Sequence, residues 1–158
     1  MTRASSASSA RECSIANALA VVGERWSLLV LREVLLGNVR FESIVANTGG
    51  SRDILTARLR TLVDAEVLER RLYDEHPRRY EYLPTEAGRA LQPVLLALMD
   101  WGDRYVTQGP PPTVWEHACG EELHVTAVCA ACGEPVGSGE SRLLRLGGID
   151  QPRTASLG

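Results

Sequence analysis

The stretch from Ser51 to Thr85 changes its hydrophobic period halfway along, and few folds accept both halves in that order. "SRDILTARLRTLVDAEV" sets Ile54, Leu55, Leu59, Leu62 and Val63 on one stripe, with Ser51 at an N-cap position and Asp53 in the first turn, which predicts an amphipathic helix. The opposite face carries Arg52, Asp53, Thr56, Ala57, Arg60 and Thr61, which are short or hydrogen-bonding. "VLERRLYDEHPRRYEYLPT" then alternates, with Leu68, Arg70 and Leu72 before a polar turn and Arg79 to Leu83 after it. That pattern predicts a hairpin with its tip between Asp74 and Arg78.

Shorter helical segments lead up to this stretch. "CSIANALAVVG" spaces Ile15, Leu19 and Val22 and stops at Gly23; "ERWSLLVLREVLLG" spaces Trp26, Leu29, Val30 and Val34 and ends at Gly37. "RFESIVANTGG" places Phe41, Ile44 and Val45 on one face before a glycine pair. After the hairpin, "TEAGRALQPVLLALMDWGDRYV" begins with Thr85 as a cap candidate and runs through Leu91, Val94, Leu95, Leu98, Met99 and Trp101; Pro93 demands a kink or a new helix start. Trp26 and Trp101 suit packing in a core or an interface. The order is the plan of a winged helix-turn-helix, mainly α with a small β-hairpin wing. In that plan the helix after the turn enters the major groove, and the hairpin follows the backbone or the minor groove.

The pieces "CSIANAL", "GERWSLLVLREVLLG", "RFESI", "SRDILTARLRTLVDAEVLERRLYDEHPRRYEYLPTEAGRAL" and "VLLALMDWG" resemble, in order over residues 13 to 102, the HxlR-type family of bacterial winged-helix transcription regulators, within the MarR-like superfamily. The resemblance implies a homodimer joined by its N- and C-terminal helices, a palindromic operator in double-stranded DNA and control of nearby genes. It also implies that Cys13 stands where some members carry a redox sensor. The glycine-rich turn "NTGGSRDIL" departs from the family's more apolar approach, and the segment after residue 106 lies beyond the family's pattern.

On the recognition-type helix, Ser51, Arg52 and Asp53 come first to a groove, with Thr56 and Arg60 following on the same face. Arginine suits guanine O6 and N7, each good bidentate pair giving roughly 1–3 kcal/mol of discrimination. Arg58, between the two faces, fits an internal salt bridge or a phosphate contact. In the wing, Arg78 and Arg79 are the candidates for phosphate, entered by Arg70 and Arg71; Asp74 and Glu75 in the same turn also fit an ordinary charged hairpin. A net charge of -3 excludes indiscriminate coating of nucleic acid, so any DNA binding depends on where charges are placed. All seventeen basic residues are arginine, so every basic contact is a planar, fork-shaped one.

Four cysteines in a chain with no hydrophobic leader and no apolar run near the roughly 20 residues of a membrane span fit a cytoplasmic protein with thiols or metal ligands, not structural disulfides. Cys13 precedes the first helix with Arg11 nearby, a setting that favours thiolate, though a buried structural thiol fits it too. "HACGEELHVTAVCAACG", residues 117 to 133, pairs a His-x-Cys-Gly turn with a Cys-x-x-Cys-Gly turn across an alternating stretch, the plan of a zinc-ribbon-like β appendage. His117, Cys119, Cys129 and Cys132 suit tetrahedral zinc, with His124 a rival fourth ligand; redox-active or idle thiols remain the alternative.

The expected organisation is a mobile tail over 1–11, the winged domain over 12–106, a proline-rich linker over 107–114, the Cys/His module over 115–137 and a flexible tail over 138–158. No nucleophile with a partnered base and no phosphate loop occurs, so an enzyme is not expected. A small-molecule or oxidant effector is compatible with the regulator reading. The competing function is a winged-helix protein-interaction module with a structural zinc appendage and no DNA binding.

Overall fold

The structure, a computed structural model, describes residues 13–137, 141 and 142. The expectations for the N-terminal tail and for the C-terminal stretch beyond Arg142 lie outside the described residues. Residues Leu19–Thr126 form one compact unit.

Helix α1 (Ser14–Val22) stops before Gly23. Helix α2 (Arg25–Leu35) buries Ser27, Val30, Leu31, Glu33 and Val34 along one side. Ile44 of α3 (Phe41–Thr48) joins them, as do Leu55, Leu59 and Leu62 of α4 (Arg52–Asp64), together with Val67 and Leu68 just beyond. The spacing of three and four residues that defined the α4 stripe thus becomes the floor of the core. Each fully buried leucine there contributes roughly 1.5–3 kcal/mol.

The turn between α3 and α4 explains its glycine pair. Gly49 caps α3 at φ 70°, a left-handed conformation that glycine takes without steric cost. Gly50 is buried, and a Cβ there would lie 2.9 Å from the Leu55 side chain and 3.0 Å from the Trp26 ring. One glycine supplies the angle and the other the space. Ser51 then caps α4, its Oγ accepting from the Ile54 amide at 3.4 Å.

The wing is the antiparallel pair β1 (Leu68–Glu75) and β2 (Arg78–Pro84), with Arg71 opposite Glu81 and a bulge between Leu72 and Asp74. Its tip holds a cis His76–Pro77 bond. The Tyr82 amide donates to the Val39 carbonyl at 2.8 Å and Arg40 bridges Glu81, so the α2–α3 connection lies along the outer edge of the hairpin. Thr85 caps α5 (Glu86–Ala90), where Gly88 packs so close to Val67 that a Cβ would strike the Val67 carbonyl. Pro93 resolves as a new start: α6 (Gln92–Tyr105) carries it in the first turn, where its missing N–H costs nothing. Residues after α6 return along it, with Pro111, Trp115 and Leu123 lining a cleft that includes Leu96 and Met99.

The β appendage is a correction. No strand forms over "EELHVTAV"; the segment holds only two isolated bridges, Glu116 to Glu122 and Val128 to Pro135, each closing its own tight turn. Between His117 and Gly133 only Leu123 and Val125 are even half-buried, so the alternating residues find no apolar layer to pack against. A lone two-stranded pairing is marginal in water without one. Among the described residues no single helix is long and apolar enough to cross a membrane.

Candidate nucleic-acid interface

Burial of Leu55, Leu59 and Leu62 turns the other side of α4 outward, and the candidate residues are exposed there: Arg52, Asp53, Thr56 and Arg60, with Ser51 at the start. Asp53, Thr56 and Arg60 border one shallow groove on this face, together with Asp64. Ser51 serves its own helix as the cap. Arg60 has a loose partner, Asp64 one turn on at 3.7 Å, with both side chains largely exposed. A pair of that kind contributes little and is readily exchanged.

Arg52 is held differently. Its two terminal nitrogens donate to the two Glu42 carboxylate oxygens at 2.7 and 2.8 Å, and its guanidinium stacks on the Phe41 ring at 4.8 Å. The Arg52 hydrogen bond and charge keep the Glu42 carboxyl below its ordinary range, and Glu42 in turn raises the Arg52 guanidinium. The recognition-type arginine therefore has an acidic partner on the preceding helix, which the sequence did not reveal. Arg58 is half-buried and has no ion pair among the described residues.

A larger cleft, about 790 Å³, lies between α3, α4 and the wing. Arg78 and Arg79 line it, and so does Thr56 of α4. Arg40 lines it as well, stacked on Tyr73 at 4.5 Å; sequence reading missed this residue. Nothing local marks Arg40, because only the pairing of the α2–α3 connection with β2 brings it to the wing. Two wing arginines are otherwise engaged: Arg71 pairs with Glu81 across the strands at 2.6 Å, and Arg70 stacks on Tyr80 at 4.2 Å.

Behind the interface sits Glu33, only 3% exposed. Its Oε2 accepts from Asn38 at 2.8 Å and Asn47 at 2.9 Å, and its Oε1 from Arg32 Nε at 2.9 Å. Burial pushes the carboxyl up, but the bonds from Asn47, Arg32 and Asn38 and the Arg32 charge outweigh it and hold the group below its ordinary value. One carboxylate thus ties α2 to the end of α3, just ahead of the turn that aims α4.

The Cys/His candidates form two separate pairs. His117 Nδ1 lies 3.1 Å from Cys119 Sγ in the first turn. In the second, the amides of Ala131 and Cys132 and the Cys132 thiol hold the Cys129 thiol below its ordinary value. Thiolates and imidazole are the right donors for zinc, yet among the described residues no three of His, Cys, Asp or Glu are gathered to hold a metal ion. His124 is exposed and borders the cleft along α6. Cys13 is a half-buried free thiol immediately before α1.

Residues 21–110 match the HxlR-like helix-turn-helix family. An HTH-type transcriptional regulator of Mycobacterium tuberculosis, Rv3095, is 43% identical over 125 residues, covering 78% of this chain and 79% of the relative. The crystal structure of PA1607, described as a transcription factor, superposes with a TM-score of 0.73 at 31% identity, over 85% of this chain and 95% of that one. The redox regulator HypR in its reduced form gives a TM-score of 0.54 at 27% identity, over 60% of this chain and 96% of that one.

Proposed function

The chain belongs to the HxlR-like helix-turn-helix family of transcriptional regulators, which are not enzymes, and from that premise we propose that it is a sequence-specific DNA-binding protein acting as a homodimer on a palindromic operator. The observation that carries the reading is the continuity of the exposed α4 face with the arginine-lined cleft of the wing, Thr56 belonging to both. On this reading Asp53, Thr56 and Arg60 meet base edges, Arg52 exchanges Glu42 for DNA, and Arg40, Arg78 and Arg79 meet phosphates. The dimer is supported by an exposed apolar stripe on α6, formed by Val94, Leu98, Trp101 and Tyr105 at helical spacing. Such a stripe is costly to leave in water. The place of action is the cytoplasm, where the operator is.

The test is a gel-shift titration with operator and random competitor over a salt series, on wild type, Arg52→Ala and Arg60→Ala, each checked for native circular dichroism. We expect weaker operator binding in both variants and competition by operator DNA alone. Unchanged binding in both would remove the recognition-helix assignment, and no operator preference at all would favour the protein-interaction module.

A second reading, response to oxidants, is favoured by the likeness to HypR and by the free Cys13 thiol at the head of α1. Its test is the operator affinity of Cys13→Ser before and after treatment with a disulfide-forming reagent; the variant should lose the response. For the Cys/His segment the proposal is zinc taken through the Cys129 and Cys132 thiolates, which share one tight turn. Metal analysis of protein purified without chelators checks it, with one zinc per chain expected.

A further inference from the structure

The start of α4 presents three polar side chains, and two are already engaged. Ser51 Oγ accepts from the Ile54 amide, and Arg52 is held by both Glu42 oxygens and the Phe41 ring. Asp53 is exposed, and among the described residues its carboxylate has neither a hydrogen bond nor an ion pair. It borders the groove on the outer face of the helix with Thr56 and Arg60. Arg60 follows it by seven residues, two turns on along the same side and about 10 Å along the axis, which is roughly three base-pair steps. On DNA the two side chains meet different base pairs.

We infer that Asp53 selects the operator by accepting a hydrogen bond from the amino group of one cytosine in the major groove. This rests on the DNA-binding reading above and adds to it the base that is read. An ionised carboxylate can only accept, and the donors in the major groove are the N4 amino group of cytosine and the N6 amino group of adenine. Guanine and thymine present acceptors there, which repel it. Adenine N6 stands beside its own N7, so the second carboxylate oxygen meets a lone pair, whereas cytosine N4 has a C–H on that side. Cytosine is therefore the base that satisfies Asp53.

The role is one of exclusion. A carboxylate carried towards DNA is repelled by phosphates, and where it meets no amino group it is left desolvated and unpaired. Asp53 thus lowers affinity for most sequences and spares the one that matches, which is specificity built from a repulsive element. An acid in the first turn also suits the helix dipole. That structural role touches stability and carries no base preference, so the two are separable by measurement.

The experiment is selection by the full chain from duplexes with a randomised core, read by sequencing, for wild type, Asp53→Asn, Asp53→Ala and Arg60→Ala. Affinity for random duplex and thermal unfolding are measured beside it. We expect wild type to prefer cytosine about fivefold or more at one position of each half-site. Asp53→Asn should move that position to adenine, whose N6 and N7 suit an amide, and Asp53→Ala should leave it unselected, while the other positions persist. Both variants should hold random duplex several-fold more tightly, and Arg60→Ala should relax a different position. Cytosine retained in both Asp53 variants overturns the assignment, and a fall in stability alongside it returns Asp53 to the helix dipole. Preference for another base in wild type, lost on substitution, overturns the cytosine reading. Loss of every position at once by a variant with native unfolding makes Asp53 structural and overturns it as well. If Asp53→Ala does not fold, the move from cytosine to adenine in Asp53→Asn decides alone. If wild type enriches no sequence, the DNA-binding reading fails and takes this inference with it, whereas enrichment indifferent to Asp53 leaves that reading standing.

Discussion

Glu33→Ala should destabilise the domain by about 3 kcal/mol. The magnitude comes from two charge-assisted hydrogen bonds, Asn38 and Asn47 to Oε2, each taken near the lower end of the roughly 1.5–3 kcal/mol such bonds contribute. The Arg32 pair is left out, because that guanidinium is 47% exposed and solvent replaces most of its partner. For a domain of about 100 residues, about 3 kcal/mol corresponds to a fall of roughly 12–24 °C in Tm. Glu33→Gln keeps one acceptor and should cost about half as much. The pH dependence distinguishes this from a packing effect. Glu33 is depressed below its ordinary value near 4.5 in the folded chain, so its contribution is complete above that value and is lost as pH falls through the lower, folded one. Urea unfolding followed by tryptophan fluorescence at pH 7, 5, 4 and 3 would read both quantities. The wild type should approach Glu33→Gln in stability as the pH drops. An alanine variant within about 0.5 kcal/mol of wild type, or a gap to Glu33→Gln that stays constant down to pH 3, would refute the reasoning.

Three further outcomes can be checked with the same preparations. Ser27→Ala should stabilise the fold by about 1 kcal/mol in denaturant titration, because Ser27 Oγ is fully buried and finds no hydrogen-bond partner among the described residues. Gly88→Ala should lower stability by about 2–3 kcal/mol and loosen the wing by hydrogen exchange, since its Cβ meets the Val67 backbone, not a flexible side chain. Glu42→Gln should bind DNA several-fold more tightly and steepen the salt dependence by about one unit of logarithmic slope, because it removes a carboxylate beside the phosphates and frees Arg52.

The periodic parts of the fold were legible because they are local. The α4 stripe, the Ser51 and Thr85 caps and the hairpin tip each follow from a few neighbouring residues, and the structure has them where the spacing puts them. The glycine pair looked anomalous in sequence because its second member answers to Trp26 and Leu55, one of them far back in the chain. Glu33 was hidden for the same reason: it sits on the apolar face of α2, and its partners Asn38 and Asn47 arrive from the following loop and helix. The alternation in "EELHVTAV" misled in the opposite direction. Period two permits a strand but does not supply the layer that a strand must cover.

The same distinction decides how an acidic chain can approach DNA. Arg32, Arg52, Arg60, Arg71 and Arg104 all have carboxylate partners, so much of the basic charge counted in the sequence is cancelled before any ligand arrives. Among the described residues Arg40, Arg78 and Arg79 have no ion pair, and all three line the cleft at the wing. On the proposed reading, phosphates meet these first, which gives affinity without sequence preference. On that reading Arg52 and Arg60 must give up a carboxylate to meet a base, and the bidentate O6 and N7 edge of guanine is the base edge that best offsets the loss. The proposed reading therefore assigns the two arginine sets different work: a weak, salt-dependent hold from the cleft, and discrimination from the exchange on α4.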